Sequence, residues 1–465
     1  METKKNWLEY DVEEMVAGDK DALWHHLKPH KCFETQEQMI IVEGKGLMVK
    51  DIRGREYLDA TSGGVWSVMV GYGRDSIAEA VCEQMKKMNY FAGAYGNIPA
   101  IKFAKKLLEK LPNHDKVYFS NSGSEANEKA YKIVRQASRI SPGRKGKYKI
   151  MYRDRDYHGT TFGAMSSSGH AQRKQGFEPF LEGFVEFPHC ACYRCPYDKT
   201  YGKCDIECAR KVEDIILKEG ADTIGGLIVE PITAGGGILV PVKEYYPILQ
   251  EICTKYDIWL IVDEVVCGFG RTGKFWGHEH YDFDPDIITM AKGLASSYEA
   301  LSATVVKQKV YDVFLNDPTN PATRLDYFRD ISTYGGCTAP MTAALESTRI
   351  IEDENLVENS RVMGEYLLER LSELKKYDCV GEVRGQGLFC GIEYVNNKET
   401  REPVTEEQMA QLMGNVLAQN VIVGRTNSSF HGLNNVMNFA PCLIITKEQV
   451  DTIVAAVATA IEKTF

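Results

Sequence analysis

Three short segments in the middle of the chain carry residue types able to do chemistry together. The first is Asn121-Ser122-Gly123-Ser124-Glu125-Ala126-Asn127, which follows a short apolar stretch and opens a helical pattern. Strand, small-residue turn and helix make an anion cradle, because backbone N–H groups and the helix N-terminus point at the ligand and Gly123 lets the backbone come close. An ordinary helix cap by Ser122 or Ser124 reads the same way from sequence. The second is Ile258–Asp263, an apolar strand ending in a carboxylate. The carboxyl end of a buried parallel strand is where α/β proteins bind ligands, and a carboxylate there is costly unless it meets a cation. Asp263 is the candidate. Glu264, which points to the opposite face if the strand continues, is the fallback. The third is Ile287–Met290, an apolar strand that runs through Ala291 into Lys292 and Gly293. A strand-end lysine is either a buried ion-pair partner or a nucleophile. Desolvation lowers the pKa of a buried amine and frees its lone pair for Schiff-base chemistry.

Cradle, carboxylate and lysine in this chain order match the needs of pyridoxal 5′-phosphate (PLP). The lysine forms the imine, the carboxylate keeps the pyridine nitrogen protonated so that the ring is an electron sink, and the helix end takes the phosphate.

Other patterns fail on inspection. Gly268-Phe269-Gly270-Arg271-Thr272-Gly273 fits G-x-G-x-x-G by letter, but no helical stretch follows it, so a plain turn is the better reading. Asp282, Asp284 and Asp286 imitate the start of a calcium loop, yet the sixth position is Ile287 and the twelfth Gly293. His278-Glu279-His280 lacks the spacing that puts two imidazoles on one helix face. Both stretches read as solvated surface. Cys190, Cys192, Cys195, Cys204 and Cys208 have a spacing like a zinc knuckle. The alternative is a compact insertion with the thiols packed against Tyr193, Tyr197 and Tyr201, and this is preferred, so no metal is assigned.

The elements that must position these groups follow from periodicity. Residues 1–35 read as an irregular or helical arm with Trp7, Trp24 and His25-His26, and alternation over 38–60 as a small antiparallel meander. Helical spacing covers Ser76–Tyr90 and Pro99–Leu111. From Lys116 short apolar strands alternate with helices: Val117–Phe119, Tyr148–Tyr152, Gly225–Glu230, Ile258–Asp263, Ile287–Met290 and Ser302–Val306, with helices at Ser124–Ser138, Asp205–Lys218 and Glu244–Lys255. That alternation predicts an α/β fold with a mostly parallel sheet covered on both faces. After about residue 340 two long helices, Pro340–Asp353 and Leu356–Lys376, lead to strands Val380–Val383 and Leu388–Tyr394, a helix, a strand pair near Val421 and Val436, and a last helix from Lys447. The expected organisation is 1–75 as arm and meander belonging to a smaller α+β domain, 76–339 as a large cofactor-binding domain, and 340–465 as the rest of the small domain.

Composition narrows the class further. The chain has 465 residues, 44% apolar and 26% charged, close to the globular average, which excludes a disordered or fibrous chain. Its 55 basic and 65 acidic residues give a net charge of −10, which disfavours nucleic acid. No apolar run reaches a membrane span, and Met1–Lys20 lacks the apolar core of a signal peptide, so a cytoplasmic protein is expected. The 13 Cys are an odd number and too dilute for a disulfide scaffold.

The sequence resembles the class III, or omega, aminotransferases of fold type I over nearly its whole length. The likeness is carried by Leu58–Trp66, the Ser122–Glu125 turn, Tyr157-His158-Gly159, Val229-Glu230-Pro231, Asp263-Glu264-Val265 with Gly268–Gly273, Ala291-Lys292-Gly293 and Thr333–Gly336. It implies a seven-stranded, mostly parallel sheet and a homodimer or dimer of dimers with sites at the subunit interface. It implies that Lys292 forms the Schiff base and shuttles a proton, and that Asp263 pairs with the ring nitrogen. Gly123 and Ser124 would hold the phosphate. Tyr157 would stack on the ring with Val265 on its other face, and Glu230 would sit beside the ring hydroxyl. Thr333 would reach the neighbouring subunit's phosphate, Trp66 would line the substrate pocket, and Arg425 would meet the substrate's anionic group. The family usually has His-Pro after the Thr-Tyr-x-Gly stretch, where this chain has Cys337-Thr338. The implied reaction takes an amino group from an ω-amino donor to pyruvate, giving alanine. Taurine is the first donor to expect, β-alanine and 4-aminobutyrate are the next, and a PLP-dependent aminomutase is the competing activity.

Overall fold

The structure, a computed structural model, describes residues 9–465, so Trp7 of the expected arm lies outside the described residues. The rest of the arm forms a helix over Val12–Ala22, capped by Asp11, and a single 3₁₀ turn at His30–Glu34. Strands β1 (Ile41–Lys45), β2 (Met48–Asp51) and β3 (Glu56–Asp59) form the antiparallel meander that the alternation predicts. Its two tight turns place Gly46 and Gly54 at φ of +61° and +84°, where a side chain would be strained.

The large sheet is built from β4 (Lys116–Ser120), β5 (Lys149–Arg153), β6 (Phe184–Phe187), β7 (Ile224–Val229), β8 (Trp259–Asp263), β9 (Ile287–Met290) and β10 (Ser302–Val306). Their order across the sheet is β4-β10-β9-β8-β7-β5-β6. β10 runs antiparallel to both of its neighbours, and the other pairs are parallel. β7 to β10 are buried along their whole length, which explains their uninterrupted apolar sequences. β6 escapes the periodicity reading because it is a four-residue edge strand paired only with β5 and half exposed.

In the C-terminal part, β11 (Val380–Gly385) and β12 (Cys390–Asn397) form an antiparallel pair, with β13 (Glu402–Pro403) alongside β12. β14 (Val421–Ile422), β15 (Gly424–Arg425) and β16 (Val436–Phe439) correct one expectation. Val421 and Val436 do not pair with each other. β14 runs parallel to β3, with Val421 opposite Leu58, whereas β16 pairs with β12 and β15. The chain changes sheets across Val423, and the N-terminal meander is thereby joined to C-terminal residues. The largest apolar cluster spans both regions and includes Met69, Ile288, Met341, Leu367, Phe439 and Val457.

The Gly268–Gly273 segment is a turn, followed by a single 3₁₀ turn at Gly277–His280 and not by an α-helix. Its Arg271 is wholly buried and donates to the carbonyls of Leu388 and Pro441 and to Ser62 Oγ, tying three distant segments together. Asp282 and Asp284 are exposed as expected. Asp286 is not, because it is buried and accepts the Leu260 N–H at 3.0 Å while pairing with Lys309. Among the described residues, no helix is long and apolar enough to cross a membrane.

Candidate active site

The carboxyl ends of β7, β8 and β9 lie side by side, with Asp263 in register with Thr289. Asp263 is buried, and its two oxygens are used differently. Oδ2 accepts the Asn127 side-chain N–H at 2.8 Å and the Nδ1–H of His158 at 2.8 Å. The imidazole is assigned as donor because its partner is a carboxylate. The Thr289 hydroxyl donates to Asn127 Oδ1 at 2.7 Å and so orients that amide. Among the described residues, Oδ1 accepts only the Val265 N–H, at 3.0 Å. One carboxylate oxygen is thus fixed by protein, and the other keeps a lone pair for a cationic N–H.

Glu264, the fallback, is spent on structure. It is fully buried, Oε2 accepts the Gly277 N–H at 2.9 Å, and Oε1 accepts the backbone N–H and Nδ1–H of His278 at 2.8 and 2.7 Å. His278 is therefore a packed partner, not the solvated residue its sequence context suggested.

Lys292 begins a 3₁₀ turn directly after β9 and adopts φ +43°, a left-handed conformation that costs a lysine about 1–2 kcal/mol. Such strain collects at functional sites. The described residues offer Lys292 Nζ no hydrogen-bond or ion-pair partner. Burial holds its amine below the ordinary lysine pKa, opposed by the charges of Asp263 and Glu230. The side chain is nonetheless only half-buried, so a ligand can reach it.

The strand, small-residue turn and helix expected around Gly123 are present. Ser122 caps the helix Gly123–Ile140 by accepting the Glu125 N–H at 3.2 Å. A Cβ on Gly123 would lie 3.0 and 3.1 Å from the Val265 methyls, so glycine allows the helix end to settle against β8. Ser124 Oγ accepts the Thr160 N–H at 3.0 Å, and its own hydrogen finds no acceptor among the described residues. Gly159, at φ +134°, passes so close that a Cβ would sit 2.2 Å from Ser124 Oγ. The Tyr157–Thr160 segment therefore wraps the cradle.

Glu230 follows β7 and accepts the Tyr157 N–H at 2.8 Å and the Ala234 N–H at 3.0 Å. Burial, and then the charges of Asp156 and Asp263, push its carboxyl well above the usual range. The Tyr157 ring rests on His170 at 5.2 Å, and the Arg173 guanidinium lies over it at 5.0 Å.

Trp66, also at positive φ, donates from Nε1 to Asn438 Oδ1 at 3.0 Å and sets its ring against Phe389 at 5.5 Å. Asn438 pairs with Gly424 across the β15–β16 ladder, which brings Trp66 next to the strand carrying Arg425. Arg425 itself is paired with Glu406. Thr333 stands apart on an exposed segment, where its carbonyl accepts the Tyr90 hydroxyl at 3.0 Å. The structure thus gathers Gly123, Ser124, Tyr157, Glu230, Asp263, Val265 and Lys292 at the strand ends. It adds groups that sequence reasoning gave no role: Asn127, His158, Thr289, His170 and Arg173. Asn127 and His158 sit inside motifs already singled out, so their position was visible but their partner was not.

The five cysteines of the insertion lie close together. Cys190, Cys192, Cys195, Cys204 and Cys208 are all free and line one cavity with Tyr197 and Tyr201. Tyr193 turns elsewhere, between the guanidinium groups of Arg194 and Arg401. Burial and mutual repulsion push the Cys192 thiol up to about 11 and Cys208 up to about 12. Among the described residues, no three or more His, Cys, Asp or Glu are arranged to hold a metal ion.

A ligand bearing a phosphate, a protonated ring nitrogen and an aldehyde would find a cradle, a clamped carboxylate and a partnerless amine at one place. Comparison with known proteins agrees with that geometry. The class III aminotransferase family matches residues 32–461. A hypotaurine/taurine–pyruvate aminotransferase of Paracoccus denitrificans is 49% identical, covering 98% of both chains. A taurine–pyruvate aminotransferase of Bilophila wadsworthia is 50% identical, covering 96% of this chain and 97% of the other. Among solved structures, a Bacillus anthracis aminotransferase superposes with a TM-score of 0.92 at 41% identity, covering 97% of this chain and 98% of the other.

Proposed function

The chain belongs to the class III aminotransferases, and on that premise we propose that it carries the amino group of taurine to pyruvate, giving sulfoacetaldehyde and L-alanine, with PLP as cofactor. The observation that carries the donor is the half-identity, end to end, with relatives named for taurine and pyruvate. β-Alanine and 4-aminobutyrate are the alternative donors, and an aminomutase is the alternative activity. The organisation proposed with it has residues 76–339 as the large cofactor-binding domain and residues 1–75 and 340–465 as the parts of a smaller domain.

Bound PLP supplies the electron sink for breaking a C–H bond at the amine-bearing carbon. Lys292 Nζ, which has no hydrogen-bond or ion-pair partner among the described residues, would hold the cofactor at its aldehyde end and, as a free amine during turnover, would take up on its own nitrogen the proton from the donor's amine-bearing carbon. Asp263 Oδ1 holds the ring nitrogen's proton, while Asn127 and His158 keep that carboxylate from turning. Gly123 and Ser124 take the phosphate, and Tyr157 and Val265 flank the ring. Trp66 and Arg425 bound the substrate side. Thr333, exposed in one chain, serves the phosphate of a second copy in a dimer. Both half-reactions use this one site, so donor and acceptor alternate and ping-pong kinetics follow.

The test is a donor panel with pyruvate as acceptor. Taurine is expected to give sulfoacetaldehyde and alanine in equal amounts. Rapid turnover of β-alanine without sulfoacetaldehyde from taurine would replace the donor, and failure to form alanine from pyruvate with any donor would favour the aminomutase.

A further inference from the structure

Each substrate of the proposed reaction carries an anionic group, the sulfonate of zwitterionic taurine and the carboxylate of pyruvate, so the site needs a cation whose donors are not already committed. Arg425 has given Nη2 to the Glu406 carboxylate. Arg173 is different. Among the described residues no carboxylate pairs with it, its Nη2 donates only to the Asn427 carbonyl at a long 3.2 Å, and its buried Nε has no acceptor. Its guanidinium lies over the ring of Tyr157, the residue expected on the cofactor. Its charge is also among those that lower the Lys292 pKa, so the guanidinium lies within electrostatic reach of that amine.

The segment that carries Arg173 is anchored at several points. The Gln172 N–H donates to the Ser429 carbonyl at 3.1 Å, and Gln172 Oε1 accepts Asn434 Nδ2 at 2.9 Å. His170 donates from Nε2 to the Arg155 carbonyl at 3.0 Å, and burial holds its pKa down to about 3, so this neighbour is neutral. A fixed guanidinium with most of its five donors uncommitted suits an oxyanion group, which it can meet through two parallel hydrogen bonds.

We propose that Arg173, and not Arg425, binds the anionic headgroup of the amino donor, and so selects a donor whose sulfonate stands two carbons from the amine. This rests on the reading above for the donor's identity, though not for its charge. The long bond to the Asn427 carbonyl is the one given up on binding.

The experiment compares unmodified holoenzyme with Arg173→Gln, Arg173→Lys and Arg425→Gln, each checked for cofactor absorbance and for circular dichroism. Three readouts are taken: kcat/KM for taurine, kcat/KM for the uncharged donor benzylamine, and the inhibition constant of 2-hydroxyethanesulfonate, which has the sulfonate without the amine. Arg173→Gln is expected to lose roughly 10- to 100-fold in kcat/KM for taurine, mostly through KM, and to weaken 2-hydroxyethanesulfonate by a similar factor, as for one lost charged hydrogen-bonding group. Turnover of benzylamine should stay within about twofold on the same reckoning. Arg173→Lys should recover part of the loss, and the loss in Arg173→Gln should exceed that in Arg425→Gln. Unchanged taurine and inhibitor values in Arg173→Gln would overturn the inference. So would an equal loss with benzylamine, which would make Arg173 a support for Tyr157 alone. If the unmodified enzyme uses β-alanine instead of taurine, the donor reading fails, and the same comparison with 3-hydroxypropionate decides the inference by itself.

Discussion

In the proposed reaction Asp263 acts through the oxygen that Asn127 and His158 leave alone, and this division of labour can be measured. Asn127→Ala removes a donor to Oδ2 and also strands the Thr289 hydroxyl that oriented it. Losing a hydrogen bond to a charged group costs about 1.5–3 kcal/mol. The dissociation constant for PLP, followed by fluorescence, is therefore expected to rise about tenfold or more, while Lys292 remains present and reactive. An unchanged constant would show that the clamp is ornamental. A second residue-scale prediction concerns the apoprotein. Burial lowers the Lys292 pKa, so the unfolded chain takes up that proton more readily than the folded one. Stability from this group accordingly rises with pH between the lowered folded value and the ordinary 10.5, and the whole penalty is present below that window. Apo Lys292→Met is expected to melt above the unmodified apoprotein at neutral pH, with the gap closing as pH approaches 10.5. A gap independent of pH would mean that the amine is not held down.

Elements position these residues through close backbone approaches. Helix Gly123–Ile140 starts against the Val265 side chain, where a Cβ on Gly123 would be tight, and the Tyr157–Thr160 segment can cross Ser124 only because of Gly159. Gly159→Ala would bring a Cβ to 2.7 Å from Ser124 Cβ and 2.8 Å from its Cα, at a positive φ. Overpacking of this kind costs about 1–3 kcal/mol, so thermal unfolding should fall. PLP affinity should fall with it, because the displaced residue belongs to the phosphate cradle. Arg271 does the equivalent work between elements, since its guanidinium joins the Gly268–Gly273 turn to Leu388, Pro441 and Ser62. Arg271→Leu leaves those buried acceptors without donors at about 1–3 kcal/mol each, and its urea midpoint should drop markedly. A midpoint near that of the unmodified protein would show that the acceptors find other donors.

At the scale of the whole molecule, one face remains unexplained by a single chain. Tyr90, Phe91, Tyr95, Ile98, Ile331 and Tyr334 are all exposed. Tyr90 contacts Tyr334 ring to ring at 6.1 Å, and Phe91 contacts Tyr95 at 5.0 Å. Apolar patches of this kind mark interaction surfaces. Thr333 lies within this one, which is where a residue serving a second copy's phosphate must be. Ile98→Asp is expected to shift the protein toward monomer in size-exclusion chromatography with light scattering, and to lower activity in proportion. A monodisperse monomer in the unmodified protein would remove the shared-site proposal for Thr333.

The order of cradle, carboxylate and lysine was determined by sequence alone, because each is a local pattern: an apolar run that must be a buried strand, followed at once by the polar residue its end presents. The meander and the long C-terminal helices were legible for the same reason, their periods being written in neighbouring residues. What tertiary structure decided are the partners. Nothing local tells that Glu264 turns to His278 while Asp263 meets His158 and Asn127, more than a hundred residues earlier. Nothing local sends Val421 to Leu58 rather than toward Val436, commits Arg425 to Glu406, or leaves Arg173 without a carboxylate partner among the described residues. A side chain's chemical type is fixed by its codon, but its charge state and its availability depend on desolvation and on which groups the fold brings within hydrogen-bonding distance.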